Sequence, residues 1–192
     1  LTVRAVLKRS GLARRAFYER FAGKDDLVIA IFEQTLHEAA HLFREEVAAF
    51  ADPVEKIRVV VLGLIADQMA RRIEGDGFQR IAGVVLGSVP LAVALSLRTG
   101  IPFVMVRKEK KDHGTGKLIE GQLNPGEKVL VVEDVITSAG SAVYAVETLR
   151  QAGANVETVM SVVDREEGGR DALGKLDVEM RALITASKIL GK

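Results

Sequence analysis

The chain has 192 residues, a formal net charge of +1 and 48% hydrophobic residues. This length can bury a core of one or two domains, and the balanced charge produces no global field that would indicate a nucleic-acid or membrane partner. The sequence has no cysteine, which excludes disulfides and thiolate metal sites and fits a cytoplasmic location.

The first part of the chain reads as helices. Apolar residues recur at helical spacing from 2 to 74, and we predict short helices that end at Gly11 and Gly23, a long helix after them, and a further helix opened by Pro53. Residues 1–24 also form a local basic patch. We therefore predict a helical domain at 1–75.

From residue 76 onward, short β-branched runs alternate with helical segments. This alternation predicts an α/β domain at 76–192 with a parallel sheet covered on both faces. The apolar run 81–97 is broken by Gly87, Ser88 and Pro90, which favours a strand, a turn and a helix over a membrane span. The predicted strands are 80–87, 102–109, 128–134, 155–164 and about 180–185, and the predicted helices are 89–100 and 141–153.

Residues 129–141, VLVVEDVITSAGS, place Glu133 and Asp134 after an apolar run and before a stretch of small residues that opens a predicted helix. Ligands bind at the carboxyl ends of parallel strands, and small residues at a helix N-terminus let backbone N–H groups surround a phosphate. Two carboxylates repel a phosphate, so we expect them to contact neutral hydroxyl groups or a bridging Mg²⁺. The pattern favours ribose 5-phosphate as the ligand over the simpler interpretation, a surface turn with a helix cap.

This stretch resembles the phosphoribosyl pyrophosphate (PRPP) signature of type I phosphoribosyltransferases. A second stretch, VRKEKKDHGTGKLIEG (106–121), is similar to the catalytic loop of orotate phosphoribosyltransferases, and the resemblance extends over about 78–190. It implies a Rossmann-like core and an enzyme of pyrimidine biosynthesis that transfers ribose 5-phosphate from PRPP to orotate or a related base.

The resemblance also implies roles for single residues. Glu133 and Asp134 match the pair that holds the ribose hydroxyls, and Asp134 is also a catalytic candidate. Thr137 and Arg165 match positions that meet orotate, since a guanidinium is a two-pronged donor to a carboxylate. The other candidates for PRPP binding are Ser138, Ala139, Gly140, Ser141, Gly87 and Ser88.

The departing pyrophosphate needs cationic donors. The resemblance assigns this catalytic role to Arg107, Lys108, Lys111 and His113, which in the family reach the pyrophosphate partly across a dimer interface, so it implies a homodimer. Taken alone, this charged run is typical of a solvated loop. We expect Mg²⁺ to accompany PRPP without a direct protein ligand.

Two features depart from the family pattern. Many members carry a lysine in the pyrophosphate-binding turn, where this chain has Gly87 and Ser88. The hood segment that normally covers the base is not recognisable before residue 78. Both features bear on base specificity and turnover.

Residues 2–33 instead resemble the DNA-binding region of TetR-type transcriptional regulators, with part of the helical region of that family absent. The resemblance implies that Arg14, Arg15, Tyr18 and Lys24 face DNA, and Phe17 and Phe21 are expected in the core. The alternative function is a DNA-binding regulator that uses the α/β domain as a PRPP or nucleotide sensor. The sequence leaves open whether the junction of the two families is natural, which base is accepted and which operator is bound.

The stretch HEAAH (37–41) fits the H-E-x-x-H zinc motif. A zinc protease needs a third ligand and a cleft, and His113 is already assigned to the catalytic loop. We therefore interpret 37–41 as a solvated helix face.

Overall fold

A computed structural model describes most of the chain, which divides into two units, Leu1–Val60 and Val61–Lys192. The described residues are 3–11, 13–23, 26–27, 30, 51–108 and 118–191. The long helix expected after Gly23 lies almost wholly outside the described residues. The stretch 37–41 lies wholly outside them.

The described elements are numbered here in chain order. The helices are α1 Val3–Ser10, α2 Arg14–Tyr18, α3 Pro53–Ile73, α4 Val89–Thr99, α5 Gly140–Gln151, α6 Gly169–Gly174 and α7 Ala186–Leu190. The strands are β1 Arg80–Val84, β2 Phe103–Val106, β3 Ile119–Glu120, β4 Lys128–Ile136, β5 Asn155–Asp164 and β6 Glu179–Thr185.

The strands form one six-stranded sheet in the order β3-β2-β1-β4-β5-β6. All neighbouring pairs are parallel except β2 with β3, which is antiparallel at the edge. The strand order reverses between β1 and β4, and in such sheets the carboxyl ends beside the reversal form a crevice. The predicted α/β fold with a parallel sheet is therefore confirmed.

The central strand β4 is buried on both faces. Val129 and Val131 belong to the core cluster that includes residues of α5, whereas Leu130 and Val132 belong to the cluster that includes residues of α3 and α4. The continuous apolar run in the sequence follows from this double coverage. It also means that a polar residue added to this strand must either find a partner or lie beyond the core.

Several predicted boundaries shift. The β4 strand continues past Asp134 to Ile136 because β5 pairs alongside it, with Ile136 opposite Asp164. The second helix ends at Tyr18 and not at Gly23. The short elements β3, α6 and α7 were not predicted, since two to six residues are too few for a periodic pattern.

The apolar run at 81–97 forms β1, a turn and most of α4, as predicted. Among the helices that the structure describes, none has the length and apolar character needed to cross a membrane.

In the first unit, α2 places Phe17 in a buried position, with 1% of its surface exposed. Its ring lies 5.4 Å from the Phe21 ring and 5.2 Å from the Tyr18 ring, measured between centroids. Phe21 is half-buried, and Tyr18 is 47% exposed. Phe17 is therefore a core residue, as expected, and Tyr18 faces outward.

Candidate active site

The carboxyl end of β4 places two adjacent acids in different surroundings. Glu133 is 7% exposed, whereas Asp134 is exposed and accepts a hydrogen bond from the backbone N–H of Val135 at 2.8 Å. Side chains alternate in direction along a strand, which separates the two carboxylates. One acid is thus desolvated while its neighbour remains accessible.

The loop after β4 forms a small polar hollow at the start of α5. Ala139 has a left-handed backbone with φ of 64°, and the 12-residue helix begins at Gly140 with no acid in its first turn. The positive end of the helix dipole is therefore not neutralised locally. The hollow, about 40 Å³, is lined by Glu133, Val135, Ile136, Thr137, Ala139, Gly140, Ser141 and Ala142.

The turn between β1 and α4 lies against these acids. A Cβ atom added to Gly87 would be 3.2 Å from Oδ2 of Asp134, so a glycine lets the turn approach this carboxylate closely. Ser88 is fully buried, and its Oγ is 2.8 Å from Oε2 of Glu133. The Ser88 hydroxyl therefore faces inward, whereas Gly87 is exposed.

The surroundings of Glu133 make its carboxyl a weaker acid than that of an exposed glutamate. The pKa of its carboxyl is raised from 4.5 to about 7, mainly by burial and also by the charge of Asp134. The hydrogen bond with Ser88 and the charge of Lys108 act against this rise in pKa. Glu133 can therefore change its protonation state near neutral pH.

The cationic candidates are only partly within the described residues. Arg107 follows β2, donates its backbone N–H to Leu118 at 2.8 Å and has its guanidinium 3.8 Å from Glu120. Lys108 is exposed and close enough to Glu133 to affect its pKa. Lys111 and His113 lie outside the described residues.

Arg165 begins the loop after β5. Its backbone N–H donates to the carbonyl of Ile136 at 2.9 Å, which places it beside the loop that contains Thr137. Its guanidinium pairs with Glu167 at 2.7 Å, and both side chains are about half exposed, at 55% and 49%. A screened pair of this kind is weak, so the guanidinium can exchange its partner for another carboxylate.

Residues that the sequence interpretation missed hold this loop in place. Asp164 is fully buried and accepts hydrogen bonds from the backbone N–H of Glu166 and from Nε of Arg170, both at 2.8 Å. The Glu166 carboxylate accepts hydrogen bonds from the backbone N–H and hydroxyl of Ser187, at 2.6 and 3.0 Å. Asp164 could have been suspected as an acid ending an apolar strand, but no sequence signal links Glu166 to a residue 21 positions away.

A larger hollow lies at the other edge of the sheet. It has a volume of about 440 Å³ and is bordered by the ends of α3 and α4 and by Phe78 and Ile101, which precede β1 and β2. Its Arg98 already pairs with Asp67. Because ligands of such sheets bind at the carboxyl ends of the strands, we place the chemistry at β4 and not in this larger hollow.

The candidate DNA-binding residues belong to the first unit. The guanidinium carbon of Arg14 lies 5.7 Å from the centre of the Tyr18 ring, and Arg15 pairs with Glu19 at 2.8 Å. Both arginines are exposed. Lys24 lies outside the described residues.

Comparison with sequence families gives two matches. A profile described as a phosphoribosyl transferase domain matches residues 63–186, and a profile for bacterial regulatory proteins of the tetR family matches residues 1–31.

Several proteins similar to this chain are named orotate phosphoribosyltransferase. A protein of Methanocella arvoryzae called orotate phosphoribosyltransferase is 50% identical over 132 residues, covering 69% of this chain and 75% of that protein. A protein of the same name from Natronomonas pharaonis is 52% identical over 126 residues, covering 66% of this chain and 71% of that protein. The crystal structure of Mycobacterium tuberculosis orotate phosphoribosyltransferase in complex with PRPP is 32% identical, with a TM-score of 0.59 over 68% of this chain and 76% of that one.

Proposed function

We propose that this chain, which belongs to the phosphoribosyltransferase family, transfers ribose 5-phosphate from PRPP to orotate. The bond between ribose C1 and a pyrophosphate oxygen breaks, and a bond between C1 and a ring nitrogen of the base forms. The observation that carries the proposal is the position of Glu133 and Asp134 at the carboxyl end of β4, directly before the loop that opens α5.

The loop Thr137–Ser141 is proposed to bind the 5-phosphate. Its small side chains leave the backbone N–H groups at the start of α5 accessible, and the helix dipole favours an anion there. Thr137, Ser138 and Ser141 add hydroxyl donors. Ala139 and Gly140 let the backbone turn tightly, with Ala139 in the left-handed conformation.

The two acids are proposed to bind the ribose hydroxyls. Asp134 is exposed and Glu133 lines the hollow, so both can accept hydrogen bonds from a sugar held by its phosphate. Negative charge beside the ribose also favours the oxocarbenium-like state that forms at C1 as pyrophosphate leaves. We assign this second role to Asp134, which is exposed, while both acids bind the ribose hydroxyls.

The pyrophosphate is proposed to lie between the Gly87 turn and the cationic residues. Gly87 offers backbone without a side chain, and Ser88 contributes its backbone only, because its hydroxyl faces Glu133. Arg107 and Lys108 lie at the end of β2, next to β1. Together with Lys111 and His113 they supply the positive charge that stabilises the leaving group.

We expect Mg²⁺ to be bound with PRPP. Mg²⁺ prefers oxygen ligands and is commonly held through substrate phosphates, and the groups at this edge of the sheet are carboxylates and hydroxyls. When bound, the ion neutralises part of the pyrophosphate charge. We assign it to oxygen atoms of PRPP, with the protein acids reserved for the ribose.

Orotate is proposed to contact Arg165 and Thr137. The Arg165 guanidinium is about half exposed and is paired only with a neighbouring exposed acid, Glu167, in the described residues. It can therefore turn to the orotate carboxylate as a bidentate donor. We further expect a homodimer in the cytoplasm in which the loop that carries Lys111 serves the partner's site.

The proposal is tested with the purified full chain, PRPP, Mg²⁺ and orotate. We expect loss of orotate and release of pyrophosphate in equal amounts, with adenine as the control base giving little pyrophosphate. A sample that binds PRPP but never consumes orotate would contradict this function.

A second candidate function is DNA binding by residues 1–31. It is favoured by the match to the tetR family and by the exposure of Arg14, Arg15 and Tyr18 around a buried Phe17. We expect the logarithm of the duplex-binding constant to fall with the logarithm of the salt concentration, with a slope of about one per phosphate contact. Binding should be lost when Arg14→Ala and Arg15→Ala are combined. Absence of duplex binding at low salt would remove this candidate.

A further inference from the structure

The hydroxyl of Ser88 joins the β1–α4 turn to Glu133. Its Oγ accepts a hydrogen bond from the backbone N–H of Val84 at 3.1 Å. Two oxygens lie within reach of its proton, the Val84 carbonyl at 3.0 Å and Oε2 of Glu133 at 2.8 Å. A serine hydroxyl has one proton, so it can donate to only one of them at a time.

The choice between these acceptors is linked to the charge of Glu133. When Glu133 is charged, it accepts the Ser88 proton. When Glu133 is neutral, its own proton can be donated to Ser88, whose hydroxyl then donates to Val84. Both arrangements satisfy the buried hydroxyl, and only the first presents a full carboxylate to a ribose hydroxyl.

The other charged groups around Glu133 leave the Ser88 hydrogen bond dependent on the charge of Glu133. Asp134 on the same strand opposes the charge of Glu133, and Lys108 after β2 favours it. Arg107 pairs with Glu120, and the first turn of α5 has no acid. Burial is the largest influence on the pKa of Glu133, and with all of these groups together the pKa is raised to about 7.

We propose that Ser88 is a positioning residue that holds Glu133 in its charged form, so that the affinity for PRPP increases as pH rises through neutrality. The inference rests on the proposed function, because it assigns the ribose hydroxyls to Glu133. The sign follows from the chemistry: the carboxylate that accepts from the ribose exists above its pKa and is lost below it.

Ser161 provides a matched control. It lies on β5 opposite Glu133 in the sheet register, and it is also fully buried. Unlike Ser88, its hydroxyl has no hydrogen-bond partner among the residues described. Removing it deletes a buried serine hydroxyl beside the same acid without removing a bond to that acid.

The experiment measures kcat/KM for PRPP as a function of pH in the wild type and in Ser88→Ala, Ser88→Thr and Ser161→Ala. Loss of the Ser88 hydrogen bond should move the acid limb of Ser88→Ala to higher pH by about one pH unit, or about tenfold in kcat/KM on that limb. The curves should converge at high pH, which a general loss of structure would not produce. Ser88→Thr and Ser161→Ala should keep the wild-type limb.

PRPP phosphates also titrate near this range, but they affect every variant equally, so the difference between variants is the readout. An unmoved limb in Ser88→Ala, or an equal shift in Ser161→Ala, would overturn the inference. If Ser88→Ala does not fold, Glu133→Gln is the test. It should abolish the part of the acid limb of kcat/KM that comes from Glu133, and an acid limb unchanged from the wild type would also overturn the inference. A wild-type chain without pyrophosphate release at any pH would instead overturn the proposed function.

Discussion

The two acids of the candidate site differ in burial because neighbouring side chains of a strand point in opposite directions. Glu133 is desolvated and bonded to Ser88, whereas Asp134 is exposed, lies close to Gly87 and accepts a hydrogen bond from the backbone N–H of Val135. An exposed carboxylate keeps its charge without a desolvation cost. Asp134 is therefore the accessible acid that we propose to act on the ribose.

Asp134→Asn should lower kcat/KM for PRPP by about 10- to 100-fold, the range for a lost hydrogen bond to a charged group. Thermal stability should change little, since the side chain is exposed and asparagine retains an acceptor for the Val135 N–H. Steady-state kinetics and thermal melts measure both effects. Glu147→Gln, an exposed acid on α5, is the control and should leave both unchanged.

At the scale of single residues, the sequence identifies the acidic pair but does not show that Glu133 is buried and Asp134 exposed. An apolar run followed by two acids and small residues is visible in the chain. The bond from Ser88 to Glu133 joins residues 45 positions apart, and its existence depends on how β1 and β4 pair. Sequence reasoning therefore placed Ser88 among the ligand-binding hydroxyls, whereas the structure turns its hydroxyl inward.

Among the elements, the short helix α6 packs against the loop after β4, which we propose binds the phosphate. Gly169, at its first position, is buried against the loop after β4. A Cβ atom added there would lie 2.4 Å from Cγ2 of Ile136 and 2.7 Å from the carbonyl oxygen of Thr137. Neither atom can move without moving the loop, so this contact connects the β5–α6 segment to the proposed PRPP site.

Gly169→Ala should destabilise the fold by about 1 to 3 kcal/mol, the usual cost of overpacking, and should weaken PRPP binding through the displaced loop. Urea unfolding measures the first effect. Gly174→Ala is the matched control at the other end of α6, where an added Cβ meets nothing within 4 Å. A Gly169→Ala protein as stable as Gly174→Ala would show that the contact is not rigid.

The sequence predicts the long elements well and the short ones poorly, for a physical reason. The β5 strand, Asn155–Asp164, was predicted with the correct ends because its ten residues include a run rich in β-branched side chains that follows a turn at Gly153. The β3 strand has two residues, and its pairing with β2 is set by tertiary contacts alone. The α7 helix is likewise fixed by the contact of Ser187 with Glu166.

For the molecule as a whole, a buried ion pair links the start of β1 to the segment before β4. Arg80 Nε donates to Glu127 Oε2 at 3.0 Å, and the two side chains are 10% and 11% exposed. The pKa of the Glu127 carboxyl is lowered from 4.5 to about 2, most strongly by the hydrogen bond from Arg80 and also by hydrogen bonds from Asn124. The pair therefore joins β1 and β4 at their amino ends, whereas the proposed PRPP site lies at their carboxyl ends.

Because the pKa of Glu127 is lower in the folded chain, its contribution to stability is complete above pH 4.5 and is lost as pH falls from 4.5 towards 2. Glu127→Gln should lose about 2 kcal/mol at neutral pH. Its free energy of unfolding should also decline less steeply than that of the wild type across the acid range. Equal slopes for the two proteins in urea titrations would contradict this account of the pair.

The central claim is that the carboxyl end of β4 and the start of α5 form a pocket for a phosphorylated sugar. Calorimetric titration of the full chain with PRPP and Mg²⁺ tests it most directly. The account predicts saturable binding that ribose 5-phosphate competes for and that Asp134→Asn weakens. Absence of saturable binding in the wild type, or binding that Asp134→Asn leaves unchanged, would contradict it.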